Sequence, residues 1–468
     1  MAKVITQQTF DDVVRENMEE FGMDADEAID DAVKQFESQS VNLSNIVKDS
    51  RLFSGQGDAT EHPVITAIKN LKISLDSEGS SNAEITDCIV MIRAECDVDL
   101  SRRCLAGNNQ AYPALIQAVE KFLTDDKMLQ KTLLSLLSLT DGQPDLLDDH
   151  GCTLLMDMLD TFRNNEDLLY LTVGVITNTC TKHEGNRQMF VKKGLISKLS
   201  EVLNWHKSSE KVVIETCGAL RVLTLDDDIR VPFGQAHENA KSIVTEGNAL
   251  ETLLNLCKDY TANPSVLKEL FSTLTKLLVR SEFCKAVSDM EGLEFILRAL
   301  QNSVKDKGVV RQALGLIKAL AGNDEVKVEA VKSNAMEIIL VAMIKHQANS
   351  AVAELCCASI ASLILRNPNH CTTVMNLCGH QSIIQAMKIH PKVAGLQKQA
   401  CNVLRNLVAR TREHCEPILE LGAEALINEA LKNHPICEDD AKAALRDLGC
   451  HVELKERWKG VKGSLVYD

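Results

Sequence analysis

The stretch at residues 396–422, LQKQACNVLRNLVARTREHCEPILELG, decides the fold of this chain. Ala400, Leu404 and Leu407 share one face of a helix, and Asn406 lies beside them. The pattern A-x-x-x-L-x-N-L can be laid on the chain nine times, with spacings of 47, 40, 44, 54, 43, 43, 44 and 41 residues. A period of about forty residues is typical of stacked helical repeats. The positions that correspond to Ala400 are Ile85, Thr132, Thr172, Thr216, Leu270, Ala313, Cys356 and Ala441.

A second landmark supports the same register. A turn residue followed by aliphatic residues recurs between the copies, at Gly151, Gly194, Gly292, Asn334, Gly379 and Gly422. Glycine and asparagine tolerate the left-handed backbone conformation at helix ends better than other residues do. We therefore expect each of these residues to adopt that conformation, and each repeat to consist of one long helix, a turn and shorter helices.

Composition agrees with an all-α fold. The 468 residues are 45% hydrophobic but only 4% aromatic, which suits helix packing through Leu, Ile, Val and Ala. The sequence therefore predicts an all-α solenoid of about nine repeats at residues 64–449. Most of the sixteen cysteines lie in apolar helical patterns, no C-x-x-C occurs, and no secretory or membrane-spanning segment is apparent. We expect a soluble monomer in a reducing compartment, cytoplasmic or nuclear, with buried thiols.

The N-terminal segment differs from the repeats. Residues 1–50 hold twelve Asp and Glu against four Lys and Arg, in a chain whose net charge is −15. Their pattern predicts two extra amphipathic helices, the second of them capped by Asp24. Residues 51–63 are interpreted as a linker, and residues 450–468 as a C-terminal cap and tail. An acidic chain is a poor ligand for nucleic acid, so we expect no such partner.

One joint between repeats is longer than the others. The spacing of 54 residues between Thr216 and Leu270 exceeds its neighbours by about ten, and we assign the excess to an inserted loop at residues 224–244. Insertions of this kind form loops that often bind partners, but they also form struts that fill a widened joint. Both interpretations stay open. The candidate binding residues of the loop are Asp226, Asp227, Asp228, Arg230 and His237.

No catalytic motif is present. The chain lacks the G-x-S-x-G and phosphate-loop patterns, and its His-Glu pairs lack the second histidine of a zinc protease. The three His-Cys neighbours, such as His370-Cys371, point in different directions on a helix. We therefore expect a protein that is not an enzyme and has no cofactor, no metal and no small-molecule substrate.

The long helices carry candidate groove residues instead. In stacked repeats these helices line a groove, where an Asn amide can hold an extended peptide. Only Asn178 and Asn406 occupy the Asn position, so a continuous amide ladder is excluded. Cations recur one position earlier and at the helix ends. The helix dipole alone also favours those at the ends, and together the two sets predict a basic stripe for a partly acidic protein segment. These cations are Arg221, Lys318, Arg405 and Arg446, and then Arg280, Arg366 and Arg410.

With the repeat laid out, residues 64–449 resemble the armadillo-repeat family, most clearly in KQACNVLRNLVA and PILELGAEALI. The resemblance implies three-helix units in a right-handed superhelix and a protein-binding role. Nuclear-import adaptors of that family carry Trp four residues before the Asn, where this chain has residues such as Gly174 and Gly315. This departure argues against binding of nuclear-import signals, and an adaptor for basic peptides is kept as the alternative function. A further alternative is a solenoid that is autoinhibited by its acidic N-terminal segment.

Overall fold

The computed structural model describes residues 3–53, 61–77 and 81–452. The described residues are predominantly helical and form two compact units, Met1–Asn248 and Ala249–Asp468. None of the helices in these ranges has the length and apolarity of a membrane span. The fold class expected from the sequence, an all-α solenoid preceded by extra N-terminal helices, is confirmed.

The N-terminal segment is a small module with its own core. Its elements are the strand β1 (Lys3–Val4), the helices α1 (Gln7–Phe21) and α2 (Ala25–Ser38), the strand β2 (Val41–Asn42) and a 3-10 turn at Ser50–Leu52. The two short strands pair in parallel, which the sequence did not predict. Phe10 and Phe36 lie at the centre, with ring centroids 6.1 Å apart.

Local hydrogen bonds fix the ends of these elements. Asp24 caps α2 by accepting from the main-chain N–H of Glu27, as the sequence predicted. The side-chain amide of Gln7 forms two hydrogen bonds with the main chain of Val47, of 3.0 and 2.8 Å. Seven of the residues 43–50 line a cavity together with Asp99, Ser101 and Arg102, which directly follow the first long helix of the repeats. The module is therefore closed on itself and borders the start of the repeats.

The remaining helices of unit 1 belong to the repeats. They are α3 (Pro63–Asp76), α4 (Asn82–Cys96), α5 (Leu100–Asn108), α6 (Ala111–Lys121), α7 (Asp126–Thr140), α8 (Asp149–Thr161), α9 (Glu166–Cys180), α10 (Glu184–Lys192), α11 (Leu195–Trp205), α12 (Glu210–Val222) and α13 (Ala236–Thr245). A 3-10 turn at Pro144–Leu146 takes the place of the first helix before α8.

Unit 2 continues the same pattern. Its helices are α14 (Ala249–Asp259), α15 (Pro264–Leu277), α16 (Ser281–Asp289), α17 (Gly292–Asn302), α18 (Lys307–Leu320), α19 (Asp324–Lys332), α20 (Ala335–Lys345), α21 (Ser350–Ile364), α22 (Pro368–Asn376), α23 (Gly379–Ile389), α24 (Ala394–Val408), α25 (Cys415–Glu420), α26 (Ala423–Asn433) and α27 (Glu438–Leu448). Two further 3-10 turns lie at Arg412–His414 and Pro435–Cys437.

Most repeats have a short first helix, a second helix of eleven to thirteen residues and a third helix of eleven to fifteen residues, called the long helix here. The second helices are α6, α8, α11, α14, α17, α20, α23 and α26, and the long helices are α4, α7, α9, α12, α15, α18, α21, α24 and α27. Most long helices begin after an Asn or Asp that accepts hydrogen bonds from the first turn, which sets where each helix starts. Such caps are Asp125, Asn165, Asn263, Asp306 and Asn349.

The repeat register is confirmed by burial. All nine positions that correspond to Ala400 lie within long helices, and all are fully buried, whether apolar or threonine. Within each unit, neighbouring long helices pack against one another. Burial of apolar surface between the helices stabilises the fold by about 25 cal/mol for each Å². Eleven of the cysteines are also buried, as their helical patterns indicated.

The left-handed conformation predicted for the turn residues is found at only some of them. Gly194, Asn334 and Gly422 adopt the left-handed conformation, as predicted, but beside Gly292 and Gly379 the preceding residues Glu291 and Cys378 do so. At Gly292 a side chain is excluded for another reason, because a Cβ would lie 2.6 Å from the carbonyl oxygen of Val287. Gly151 is likewise inside α8 and close to the hydroxyl of Tyr112. Gly151, Gly292 and Gly379 therefore allow close packing and do not provide the left-handed conformation.

The inserted loop is shorter than predicted. Residues 236–244, which we included in it, belong to α13, the first helix of the following repeat. The extra residues are those between the end of α12 and the start of α13, where most other joints need only about three. The predicted linker lies partly outside the described residues, although Phe53 and His62 at its ends are buried. The predicted C-terminal cap lies outside them from residue 453 onwards.

Candidate functional site

Four of the predicted groove residues lie together in unit 2. Arg366, Arg405, Asn406 and Arg410 line one pocket of about 160 Å³. Arg405 and Asn406 come from α24, and the other two follow the ends of α21 and α24, so the pocket joins two successive repeats. Asp447 of α27 contributes a carboxylate to its wall.

Asp447 partly neutralises this site. Its carboxylate oxygens lie 3.4 Å from Nε of Arg405 and 3.0 Å from Nε of Arg446. Its main-chain carbonyl accepts a hydrogen bond of 2.7 Å from Arg412. Two of the predicted cations are therefore held in place by one internal anion, which sits at the Asn position of the last repeat.

Arg366 and Arg410 differ from these two cations. Both are exposed, and neither forms an ion pair with any residue in the described ranges. Arg366 also has a φ of +63°, a left-handed conformation that is uncommon outside Gly, Asn and Asp. Gly142 and Lys182 adopt the same conformation two residues after α7 and α9, so it is a recurrent way in which the long helices end. The pocket thus holds two exposed guanidinium groups without an ion pair in the described ranges, and the charge of Arg366 contributes to lowering the pKa of Asp324.

The other predicted residues of unit 2 do not line this pocket. Lys318 is exposed on α18. Arg280 precedes α16, and its guanidinium lies 3.6 Å from a carboxylate oxygen of Glu282.

Asn406, which does line the pocket, makes one weak side-chain contact, 3.4 Å to the side-chain oxygen of Asn402, so its amide is largely available.

Unit 1 contains the two remaining predicted groove residues. Asn178 donates a hydrogen bond of 3.0 Å to the carbonyl of Leu137 on the preceding long helix, so its amide connects two repeats. Arg221 lies near Glu215 on α12. Burial raises the pKa of Glu215, while a hydrogen bond with Thr177 and the charge of Arg221 oppose that rise. Both predicted residues therefore have internal neighbours.

The inserted loop is anchored by Arg187, a residue that the sequence analysis missed. Its side chain has no exposed surface and forms ion pairs with Glu184 and Asp227. The same guanidinium donates to the carbonyls of Cys180, at 2.9 Å, and Leu225, at 2.5 Å. A buried charge requires such partners, because an unpaired one is strongly destabilising.

A second arginine ties the loop to an earlier repeat. Arg230 contacts Asp228 at 2.8 Å and Asp145 at 2.7 Å, and Asp145 also lies 3.1 Å from His183. The hydrogen bond from Arg230 holds the pKa of Asp228 well below its ordinary value, and main-chain amides add to the effect. Asp228 in turn accepts from the main-chain N–H of Glu184.

The predicted binding residues of the loop therefore divide into two groups. Asp227, Asp228 and Arg230 hold the loop on the repeats, which agrees with the strut interpretation. Asp226 and His237 are exposed, although His237 lies on α13 and not in the loop. Ile229 and Phe233 are the most exposed large apolar residues of the segment, at 78% and 90%.

A signal for Arg187 was present in the sequence. At the same position of other first helices the chain has Cys284, Lys327 and Cys371, all of them buried residues that can donate hydrogen bonds. The thiols of Cys284 and Cys371 lie 3.4 Å from the carbonyls of Ala319 and Asn406. The recurrence of side chains that can donate hydrogen bonds at this position of the first helices is visible in the sequence.

Comparison with solved structures supports the fold. An engineered protein superimposes with a TM-score of 0.56 at 15% identity, covering 83% of this chain and 99% of that one. A chain from a study of the phosphorylation switch between cadherin and β-catenin gives a TM-score of 0.56 at 16% identity, covering 81% and 69%. At these identities the likeness concerns the fold alone.

Comparison with known sequences identifies the family. The human armadillo repeat-containing protein 6 is 45% identical over 100% of this chain and 95% of its own length. The Drosophila melanogaster homolog is 41% identical over 98% of both chains. The ARMC6 family profile matches residues 64–467, and the profile described as the armadillo repeat-containing protein 6 N-terminal domain matches residues 2–64. The chain therefore belongs to the armadillo repeat-containing protein 6 family, whose repeats indicate a protein-interaction scaffold.

Proposed function

We propose that this scaffold binds a partly acidic segment of a partner protein at the pocket lined by Arg366, Arg405, Asn406 and Arg410. The observation that carries the proposal is the pair of exposed guanidinium groups, Arg366 and Arg410, which share one pocket and have no ion-pair partner among the described residues. Because both side chains are exposed, a ligand in the pocket can reach them.

The chemistry of the pocket favours carboxylates. A guanidinium presents donors in a planar fork that matches a carboxylate, and such bonds are stronger than neutral ones. The amide of Asn406 can both donate to and accept from a peptide main chain. Because Asp447 already forms an ion pair with Arg405, an incoming carboxylate is expected to bind Arg366 and Arg410 first. A segment with acidic residues and an accessible main chain fits this arrangement.

The test uses a short fluorescent peptide rich in Asp and Glu, added to the full chain at low salt. We expect binding that weakens with added salt, and the double variant R366E/R410E should lose about tenfold or more in affinity, since each charged hydrogen bond contributes roughly 1.5–3 kcal/mol. The double variant K258E/K432E is the matched control. It changes the charge equally, at exposed positions of α14 and α26 that do not line the pocket.

Two outcomes would count against the proposal. Equal loss in the two double variants would show a general charge effect, and unchanged affinity in R366E/R410E would remove the pocket from the binding site. A Lys- and Arg-rich peptide of the same length is included in the assay. Tighter binding of that peptide would favour the nuclear-transport-type adaptor instead.

A further inference from the structure

The outward faces of the second helices that the structure describes are polar in all of them except α20. Two positions, three residues apart on each helix, point away from the neighbouring helices of the repeat. In seven of the eight second helices that the structure describes, both positions are polar and mostly exposed. The pairs are Gln117 and Glu120, Asp157 and Asp160, Glu201 and Asn204, Asn255 and Lys258, Arg298 and Gln301, Gln385 and Lys388, and Glu429 and Lys432.

The exception is α20, where the two positions are Val341 and Ile344. These side chains are 51% and 60% exposed. Ile338, one turn earlier on the same face, is half-buried. Isolated exposed apolar residues such as Ile73 are ordinary. Apolar residues at i, i+3 and i+6 on an outward face instead form a stripe that is typical of helix-to-helix contact.

Cavities flank this stripe on both sides. One, of about 410 Å³, lies between α17 and α20 and is lined by Leu297, Ile338 and Val341. The other, of about 340 Å³, lies between α20 and α23 and is lined by Ile344 and Ile389. The helix α20 is therefore a ridge between two grooves, and all of these residues lie within unit 2.

The charges beside the stripe are arranged symmetrically about Val341. Glu337 lies four residues before it and Lys345 four residues after it, while Ile338 and Ile344 lie three residues to either side. On a helix this places Glu337 and Lys345 each about 6 Å from Val341 along the axis, on opposite sides. Both charged residues are exposed, and neither forms an ion pair within the described ranges.

We propose that α20 is a homodimer contact, on which the α20 of a second copy of this chain packs antiparallel. A two-fold axis through Val341 brings Ile338 of one copy against Ile344 of the other, and Glu337 against Lys345. An isologous interface requires this self-complementarity, whereas an unrelated partner would not. The contact is independent of the Arg366 pocket, and it replaces the monomer expected from the sequence.

The small size of the contact and the exposure of its charged residues predict a weak dimer. A contact centred on one helix falls at the small end of specific interfaces, which bury about 1,200 Å² or less. The apolar stripe supplies the affinity. The two exposed ion pairs add little affinity but fix the antiparallel register. Self-association is therefore expected in the micromolar range and to depend on protein concentration.

The first test measures the mass of the full chain by sedimentation over a range of concentrations. The double variant V341Q/I344K gives α20 the residues that α23 carries at the same positions, so the fold is expected to be kept. It should shift the dissociation constant upward by at least about tenfold. The matched control is Ile73→Gln, which removes an exposed apolar side chain from α3 and should leave the constant unchanged. A monomeric wild type, or equal association in V341Q/I344K, overturns the proposal.

The second test exchanges the charges. In E337K, lysine faces Lys345 of the other copy, and in K345E, glutamate faces Glu337, so each variant should self-associate several-fold more weakly. The double variant E337K/K345E should regain wild-type association, and an equal mixture of the two single variants should form a heterodimer. If neither the double variant nor the mixture associates like the wild type, the antiparallel pairing is wrong. If α20 binds a different protein and the chain does not self-associate, the second copy is not the partner of α20.

Discussion

Arg187 shows how a single residue sets the local structure of unit 1. Its guanidinium is fully buried, and its partners come from α9, α10 and the inserted loop. The desolvation cost of such a group is offset only while all of its bonds are present. The loop is consequently fixed at its base, even though Phe233 at its outer side is exposed.

We expect Arg187→Met to lower the free energy of unfolding by about 3–5 kcal/mol, because Glu184 and Asp227 would keep their charges without a partner. Arg230→Met should cost less, since Arg230 is 43% exposed and Asp228 keeps its hydrogen bond from the main-chain N–H of Glu184. Urea unfolding followed by circular dichroism measures both changes. Asp227→Asn, added to Arg187→Met, should recover part of the loss. Equal effects of the two arginine variants would contradict the anchor role.

At the residue scale, the sequence predicted the packing and missed the anchor. Ala400 and its eight counterparts were recognised because a residue buried between helices repeats with the period of the fold. Arg187 was missed because its partner Asp227 is forty residues away and no local pattern marks an arginine as buried. Glu215 and Asp447 were likewise not assigned as partners of cations, since pairing between turns and repeats depends on side-chain geometry.

At the scale of elements, two long helices contain glycines that the fold does not require. A Cβ at Gly218 in α12 or at Gly315 in α18 would meet no atom within 4 Å. Both residues lie inside helices, where glycine costs roughly 0.5–1 kcal/mol relative to alanine. Gly292 differs, because a Cβ there would approach the carbonyl oxygen of Val287 to 2.6 Å.

We therefore expect Gly218→Ala and Gly315→Ala each to raise the free energy of unfolding by about 0.5–1 kcal/mol. Gly292→Ala should instead lower it, because the main chain of α16 or α17 must shift. Thermal denaturation of the three variants under identical conditions provides the comparison. A loss of stability in either of the first two would show that the open space beside that glycine is not accessible to a methyl group.

Elements were predicted more reliably by type than by boundary. The long helices and the cap of α2 followed from periodicity and from Asp24. The end of the inserted loop was placed too far along the chain because residues 236–244 contain His, Asn and Ser, which have lower helix propensity, although tertiary packing keeps them helical. The exception on α20 was open to sequence analysis, and a comparison of the second helices would have shown it.

At the scale of the whole molecule, the N-terminal module is an acidic segment with its own core that precedes the repeats in the chain. We propose that it caps the first repeat, because it has its own core and residues 43–50 border Asp99 and Arg102. The autoinhibitory arm remains the alternative to this cap. A small module of this size has a stability of only a few kcal/mol, so one core substitution is enough to unfold it.

We expect Phe10→Ala, which costs about 3–5 kcal/mol at a fully buried site, to unfold the module selectively. Hydrogen exchange should then rise in α1, α2 and α5 and stay unchanged in α14 to α27. Phe21→Ala is the matched control, since Phe21 lies on the same helix and is 68% exposed. Tighter binding of the acidic peptide by the Phe10 variant, without faster exchange in α5, would favour the arm instead.

The candidate site was predicted in part. Periodicity placed cations on the long helices, and four of the predicted residues line one pocket. The sequence did not indicate which cations have internal partners, as Arg405 does with Asp447, because that depends on contact between repeats. It is this difference that distinguishes Arg366 and Arg410 from the rest of the predicted stripe.

The anchored loop also affects how unit 1 loses its structure. In a simple solenoid each repeat touches only its neighbours, so unfolding can fray inwards from an end, one repeat at a time. Arg230 contacts Asp145, 85 residues earlier, and thereby spans more than one repeat. The segment from Asp145 to α13 should therefore melt as one cooperative block, at which fraying from either side stops. A fragment that ends inside this block would keep some of its helices but lose the contacts of Arg187 and Arg230 that hold them together.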